Sequence, residues 1–433
     1  MCLMHALLRD CRTGIPPQLE PVARAEGMDP ARLTEALLRG MVCLPANPRH
    51  PCKAVPIGEG CLVKVNVNIG TSAPRCDHEQ EMEKARAAIV NGADTLMDLS
   101  TAGDIPVLRK KILSLGVPVG TVPLYEAVRK AGSAVDVDPD LLFRVIREHC
   151  RDGVDFMTLH CGVNREAFDA LIADPRLMGV VSRGGAFHLA RMDQTGEENP
   201  LFSEFAYLLE ILDEYDVVIS LGDGMRPGSI HDAGRLAKTT EYLTLGKLSH
   251  ICQEKGIQRL IEGPGHIPLS QVGYNVRIIK ELTDHAPLYL LGPVVTDIAP
   301  GYDHVVAAIG STIACMHGAD FLCMVSPSEH LALPQLEDIV EGTRITRIAA
   351  HIGDGARKGV SWQEEKELPL VLARKDLDWE GQFRQALFGE HARSIHERDG
   401  ATDTCSMCGD LCALKLVKDI FKRKRDEPEK KQQ

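Results

Sequence analysis

Between Cys61 and about Pro327, short runs of apolar residues alternate with longer stretches whose apolar positions recur every three or four residues. Runs of this length followed by helical periodicity are the pattern of βα units and a parallel sheet. The candidate strands are Val63–Asn68, Thr95–Leu99, Pro118–Pro123, Phe156–His160, Gly179–Ser182, Val217–Leu221, Arg259–Glu262, Leu288–Leu291 and Phe321–Val325. Helical stretches such as Glu79–Val90, Leu141–Arg151, Leu201–Glu214 and Thr240–Glu254 lie between them. These nine runs are one more than an eight-stranded barrel needs, and the pattern does not say which is extra.

Nearly every run ends in polar or glycine-rich residues, among them His160-Cys-Gly162, Ser182-Arg-Gly-Gly185, Gly222-Asp-Gly-Met-Arg-Pro-Gly228, Glu262-Gly-Pro-Gly-His266 and Ser326-Pro-Ser-Glu-His330. In a (βα)8 barrel the C-terminal ends of all strands gather on the face that hosts chemistry. A doubly wound sheet concentrates its site near one switch point instead. We therefore expect an α/β chain with a TIM-like (βα)8 barrel over residues 61–335 that carries the substrate and metal site. Residues 1–60 hold two helix-like pieces, Gly14-Ile-Pro-Pro17 and a proline-rich connection, Pro45 to Pro51, and are expected to form a small N-terminal cap. Residues 336–433 turn helical and charged, with amphipathic stretches at Glu337–Ile352 and Trp379–Glu397, and are expected to form a helical C-terminal domain.

Composition narrows the classes. Apolar residues make up 44% and charged residues 25% of the 433, the balance of a soluble globular protein. No apolar run is long enough to span a bilayer, and Met1 to Asp10, broken by His5, Arg9 and Asp10, make a poor secretory signal, so a cytoplasmic location without membrane partners is expected. The net charge of −12 argues against nucleic acid as a partner. The basic tail from Lys415 to Lys431 is interrupted by acids and is expected to be a solvated helix with a frayed end. Fourteen cysteines scattered through such a chain are expected to stay reduced.

Three of those cysteines stand apart. Cys405-Ser-Met-Cys408-Gly-Asp-Leu-Cys412 can converge on one face of a compact loop, and the nearest upstream cysteine is Cys323. Structural zinc wants four protein ligands, whereas an iron–sulfur cubane can be held by three thiolates with one iron left open. The trio favours the cubane, with zinc and uncommitted thiols as alternatives. In the barrel, the Gly222–Gly228 loop with Arg226 and the Ser182-Arg183-Gly184 loop hold the ingredients of a phosphate site, although each alone would also serve as a tight turn with a carboxylate-paired arginine. Glu262 with His266, and Glu329 with His330, each put a carboxylate and an imidazole beyond a strand, suited to a divalent metal or to proton transfer. His160 is a third candidate at the mouth, and Asp297, Tyr302, Asp303 and His304 form a polar loop to which composition assigns no role.

Taken together, Val65-Asn-Val-Asn-Ile-Gly70, Gly92 to Thr101, Val181-Ser-Arg-Gly-Gly185, Ser220 to Gly228, Glu262 to His266, Leu291-Gly-Pro293, Thr296 to His304 and the cysteine trio resemble the phosphomethylpyrimidine synthase (ThiC) family of thiamine biosynthesis, over about residues 14 to 413. The resemblance implies a radical S-adenosylmethionine enzyme that rearranges 5-aminoimidazole ribotide, working as a homodimer in which the C-terminal limb serves the partner's barrel, with an electron donor of unknown identity. By motif position the substrate would be held by Asn68, Met97, Tyr125, His160, Ser182, Arg183, Gly184, Asp223, Gly224, Met225, Arg226, Glu262 and Tyr289. His266 and His330 would bind zinc or another divalent metal, Cys405, Cys408 and Cys412 would hold a [4Fe-4S] cluster, and Glu262 would join the trio in the catalytic set.

Four positions depart from the thiamine pattern. Val67 stands in place of Ala, Ala102 in place of Gly, Met324 in place of Tyr and Ser326 in place of Thr, and Cys408 and Cys412 are spaced one residue closer than in the long members. A flexible Met in place of Tyr would reshape a pocket. On that ground the sequence leans towards the family's 5-hydroxybenzimidazole synthase branch, which serves cobalamin biosynthesis, with the thiamine pyrimidine synthase as the alternative. A zinc-dependent barrel hydrolase or lyase using His266 and His330, with the cysteines as a structural knot, is the rival from another class.

Overall fold

The computed structural model describes residues 3–400 and 403–426; the basic tail beyond Asp426 lies outside them. Eight parallel strands close into a barrel: β1 (Lys64–Ile69), β2 (Thr95–Asp98), β3 (Val119–Thr121), β4 (Phe156–Leu159), β5 (Val218–Leu221), β6 (Arg259–Glu262), β7 (Leu288–Leu291) and β8 (Phe321–Cys323). Each strand pairs with its sequence neighbour and β8 returns to β1, with Leu322 opposite Val65. Nearly every strand residue is buried, because the helices cover the outside and side chains fill the inside.

The extra candidate is Gly179–Ser182, which is not a strand. Gly179 takes a left-handed φ of +63°, and Ser182 caps the helix Arg183–Thr195, its hydroxyl accepting from the Gly185 N–H at 3.2 Å. An apolar pair, Val180 and Val181, gave the run its strand-like look; Val181 is instead 39% exposed.

Residues before the barrel form three short helices, Ala6–Thr13, Leu19–Glu26 and Pro30–Leu38, and a two-stranded antiparallel ribbon, Val42–Cys43 with Ile57–Gly58. They have a small core of their own around Leu19, Leu33 and Leu37. A buried polar clamp joins the proline-rich connection to the strand starts of the barrel. Asp155 accepts from the Asn47 N–H at 2.9 Å, the Val119 N–H at 2.7 Å and His50 Nδ1 at 2.7 Å, while His50 Nε2 donates to the Leu113 carbonyl at 2.6 Å.

The chain divides into two compact units, Met1–Arg357 and Lys358–Gln433. The division falls at the end of the helix Leu336–Lys358, whereas the sequence pattern set it at 335/336. This helix belongs with the barrel because its side chains tie into strand starts: Asp354 accepts from the Val63 N–H at 2.8 Å, and Arg357 donates to Asp320 at 3.0 Å. The second unit contains the helices Val360–Asp376, Trp379–Gln385, Gly389–His396 and Ala413–Asp426, with Trp379 stacked on His396 at 3.8 Å between ring centroids.

Candidate active site

Strand alternation aims Asn66 and Asn68 of β1 inward and Val67 outward. Asn66 Nδ2 donates to the Tyr289 hydroxyl at 2.8 Å, and Asn68 Nδ2 lies 3.1 Å from the Cys323 sulfur, so β1, β7 and β8 are cross-linked inside the barrel. Above this layer is a chamber of about 80 Å³ lined by Asn68, Met97, Tyr125, His160, Asp223, Arg226, Glu262 and Tyr289, with Thr158 and Cys323 among the others. A larger chamber of about 350 Å³ shares Asn68, Tyr125 and Arg226 with it and adds Arg183, Glu81, Lys84, Met324, Ser326 and Glu329.

Nine of the thirteen substrate candidates from the sequence thus line two adjoining chambers: the eight of the smaller and Arg183. Ser182, Gly184, Gly224 and Met225 line neither. Ser182 is engaged as a helix cap, Gly184 lies against the His160 ring, and the Met225 side chain is buried in a satellite core with Val163 and Met192.

Charge in the smaller chamber is set by burial. Glu262 is pushed up to about 7, first by burial and then by the Asp223 carboxylate, and is held back by Ser220 and Thr158, whose hydroxyls both donate to its Oε1 at 2.6 Å. Arg226 donates to Asp223 Oδ1 at 2.9 Å and stays charged, while burial raises the Asp223 carboxyl against that guanidinium's pull. Burial drives His160 well below its ordinary value, keeping it neutral. The Arg183 guanidinium lies 4.9 Å from the Tyr125 ring centroid, which aims it along the mouth. The result is two fixed cations, a carboxyl poised near neutrality and a neutral imidazole around one opening.

His266 and His330 come together, with ring centroids 5.1 Å apart. His330 reaches this position with a left-handed φ of +61°, a conformation that is unfavourable for a residue with a Cβ. Each imidazole has a carboxylate behind it: His266 Nδ1 bonds Asp297 Oδ1 at 2.9 Å, and His330 Nδ1 is 3.9 Å from Asp303 Oδ1. The polar loop to which composition assigned no role therefore orients His266 by a hydrogen bond and puts a second carboxylate near His330. A carboxylate on Nδ1 fixes the tautomer that leaves Nε2 as a ligand, the usual arrangement behind metal-binding histidines. Burial lowers His266, which keeps that nitrogen unprotonated.

Among the described residues, one other group has metal-like spacing: His50, Cys52 and Asp155. Both ring nitrogens of His50 already have partners there, so the group is the hydrogen-bonded clamp under the barrel and leaves no imidazole ligand free.

In the second unit Cys405, Cys408 and Cys412 sit on one tight loop. The Cys408 and Gly409 N–H groups both donate to the Cys405 carbonyl, at 3.2 and 3.0 Å, and the Cys412 N–H donates to Gly409 at 3.2 Å. Backbone N–H groups, that of Cys408 foremost, lower the Cys405 thiol, while the Cys405 charge raises Cys408. Three sulfur donors on one loop fit an iron–sulfur cluster.

Sequence reasoning missed Thr158, Ser220, Cys323 and the pair Glu81–Lys84. Thr158 and Ser220 were within reach: Thr158 is two residues before His160, and each sits on an inward-facing strand position, unusual for a polar residue in a buried strand. Glu81 and Lys84 lie on a helix and both are buried, with Glu81 Oε2 accepting from the Gly70 N–H at 2.9 Å.

A barrel whose mouth gathers anion-binding loops and a histidine pair, in a chain that also carries a three-thiolate loop, has the parts of a radical enzyme built on a TIM-like scaffold. Residues 6–419 match the model of the Radical SAM ThiC family, and the chain belongs to that family. It is 49% identical to phosphomethylpyrimidine synthase 2 of Methanosarcina barkeri, over 97% of this chain and 99% of that protein. It is 50% identical to the phosphomethylpyrimidine synthase of Archaeoglobus fulgidus, over 96% and 99%, and 47% identical to that of Methanocaldococcus jannaschii, again over 96% and 99%. S-adenosylmethionine and an iron–sulfur cluster are the cofactors this family implies.

Proposed function

We propose that this chain is a phosphomethylpyrimidine synthase, converting 5-aminoimidazole ribotide to 4-amino-5-hydroxymethyl-2-methylpyrimidine phosphate. The observation that carries the reading is collinearity: relatives bearing that name match it end to end at about half identity. The departures that had pointed to 5-hydroxybenzimidazole lose much of their weight in the fold. Val67 faces away from the barrel interior, and neither it nor Ala102 lines the chambers. Only Met324 and Ser326 do, and both belong to the larger chamber rather than to the one around Glu262.

On this reading the smaller chamber takes the imidazole and ribose, and the cations of Arg183 and Arg226 hold the phosphate. Glu262, poised near neutrality, accepts or returns a proton as the ring rearranges, and its two hydroxyl donors keep the carboxyl in one orientation. His266 and His330 would hold a divalent metal. The cluster on Cys405, Cys408 and Cys412, when bound, supplies the electron that cleaves S-adenosylmethionine. Buried walls keep water from the reacting carbon atoms.

The test is anaerobic turnover of the reconstituted protein with the ribotide, S-adenosylmethionine and a reductant, followed by product identification by mass. The pyrimidine phosphate supports the proposal, and 5-hydroxybenzimidazole overturns it.

A further inference from the structure

The loop after β5 carries both Asp223 and Arg226, and the turn that follows it is tied at Ile230, whose N–H donates to Asp297 Oδ2 at 2.8 Å. Between Asp223 and Arg226 the support comes from behind. The helix Leu236–Lys255 sends Glu241, which has no solvent exposure, against the underside of the loop, where its Oε2 accepts from the Met225 N–H at 2.9 Å. Two glycines leave room for it. A Cβ on Gly162, in the loop after β4, would lie 2.9 Å from Glu241 Cγ, and one on Gly224 would lie 3.3 Å from Glu241 Oε1. Gly185, two residues after Arg183, presses on the same loop from the other side: a Cβ there would lie 2.8 Å from the Gly224 carbonyl carbon.

Two chain segments therefore rest on one buried carboxyl, and a third, with Arg183, packs on the far side of the loop that carries Arg226. We propose that Glu241 is a positioning residue that sets the spacing between the Arg183 and Arg226 loops, and through it the fit to a phosphorylated ligand.

Stability alone gives little reason for a carboxyl at this place. Burying it is expensive, and an apolar side chain of equal volume is often as stable or more so. Its other oxygen, Oε1, has no hydrogen-bond partner among the described residues, and neither have the guanidinium nitrogens of nearby Arg176. Burial, reinforced by Asp223, drives the Glu241 carboxyl well above its ordinary value. A neutral carboxyl is matched in shape and acceptor by glutamine.

This inference rests on the ribotide reading above, and the experiment separates the two. Affinities for 5-aminoimidazole ribotide and for its dephosphorylated riboside are measured by calorimetry on the full chain, with thermal midpoints alongside. Glu241→Met is expected to fold with a lowered midpoint, because the Met225 N–H loses its acceptor, to weaken ribotide binding by roughly tenfold or more, and to weaken riboside binding clearly less. Glu241→Gln is expected to recover most of the ribotide affinity. Should Glu241→Met not fold, Glu241→Asp, which withdraws the acceptor by one methylene, carries the same comparison. Unchanged ribotide affinity in the variant, or equal losses for ribotide and riboside, overturns the positioning role alone. A wild-type chain that does not bind the ribotide overturns the substrate reading, and this inference with it.

Discussion

Glu262 offers a direct test of the electrostatics at the mouth. Its carboxyl moves from an ordinary 4.5 to about 7 in the folded chain, chiefly through burial and then through Asp223. A carboxyl raised in this way favours the folded state fully below about pH 4.5 and loses that contribution as the pH climbs through about 7. The interval corresponds to about 3 kcal/mol of folding free energy lost between those limits. Glu262→Gln removes the titration while keeping an Oε1 that accepts from Thr158 and Ser220. The variant should match the wild type near pH 4.5 and exceed it by up to about 3 kcal/mol above pH 7, while failing to turn over. Urea denaturation followed by circular dichroism at half-unit steps from pH 4.5 to 8 measures the difference. In an Asp223→Asn background the divergence should level off at a lower pH and reach a smaller value, since the second cause of the shift is gone. Parallel stability curves for wild type and Glu262→Gln would refute the argument.

Gly185→Ala should push the Gly224 backbone away and weaken ribotide binding by on the order of a hundredfold, measured by calorimetry, because a displacement of about 1 Å at a positioned group costs that much. Replacing any one of Cys405, Cys408 or Cys412 with alanine should abolish the brown colour and the bound iron of anaerobically prepared protein while leaving the far-ultraviolet dichroism unchanged. His50→Ala removes a donor from the buried Asp155 carboxylate and should cost roughly 2–3 kcal/mol. The raised imidazole stabilises the fold below its ordinary value of 6.5 and loses that contribution as pH rises through its folded value, so the deficit should shrink at alkaline pH.

The barrel was legible because strand and helix periods are local: four to six apolar residues, a polar exit and a helical stretch repeat wherever a βα unit occurs. The limit of that rule is Gly179–Ser182, where two valines imitate a strand and only the cap at Ser182 shows that a helix begins. The motifs located the mouth residues because two arginine loops and two histidines recur at strand ends, and in a barrel all strand ends meet on one face. The four residues of the set that do not line a chamber, Ser182, Gly184, Gly224 and Met225, were named because motifs are contiguous, whereas a cavity selects by direction.

What the sequence determined by itself was the repeat, the polar rim and the thiol loop, each written within a few dozen residues. Only the closed barrel decided that Asp297 and Asp303 stand behind His266 and His330, that Thr158 and Ser220 share one oxygen of Glu262, and that Glu241 lies beneath the Arg226 loop. Those pairings join residues up to 104 positions apart, and their energies depend on burial, which no local pattern encodes. A carboxyl is an ordinary acid in the sequence and becomes a group poised near neutrality only where the fold has taken its water away.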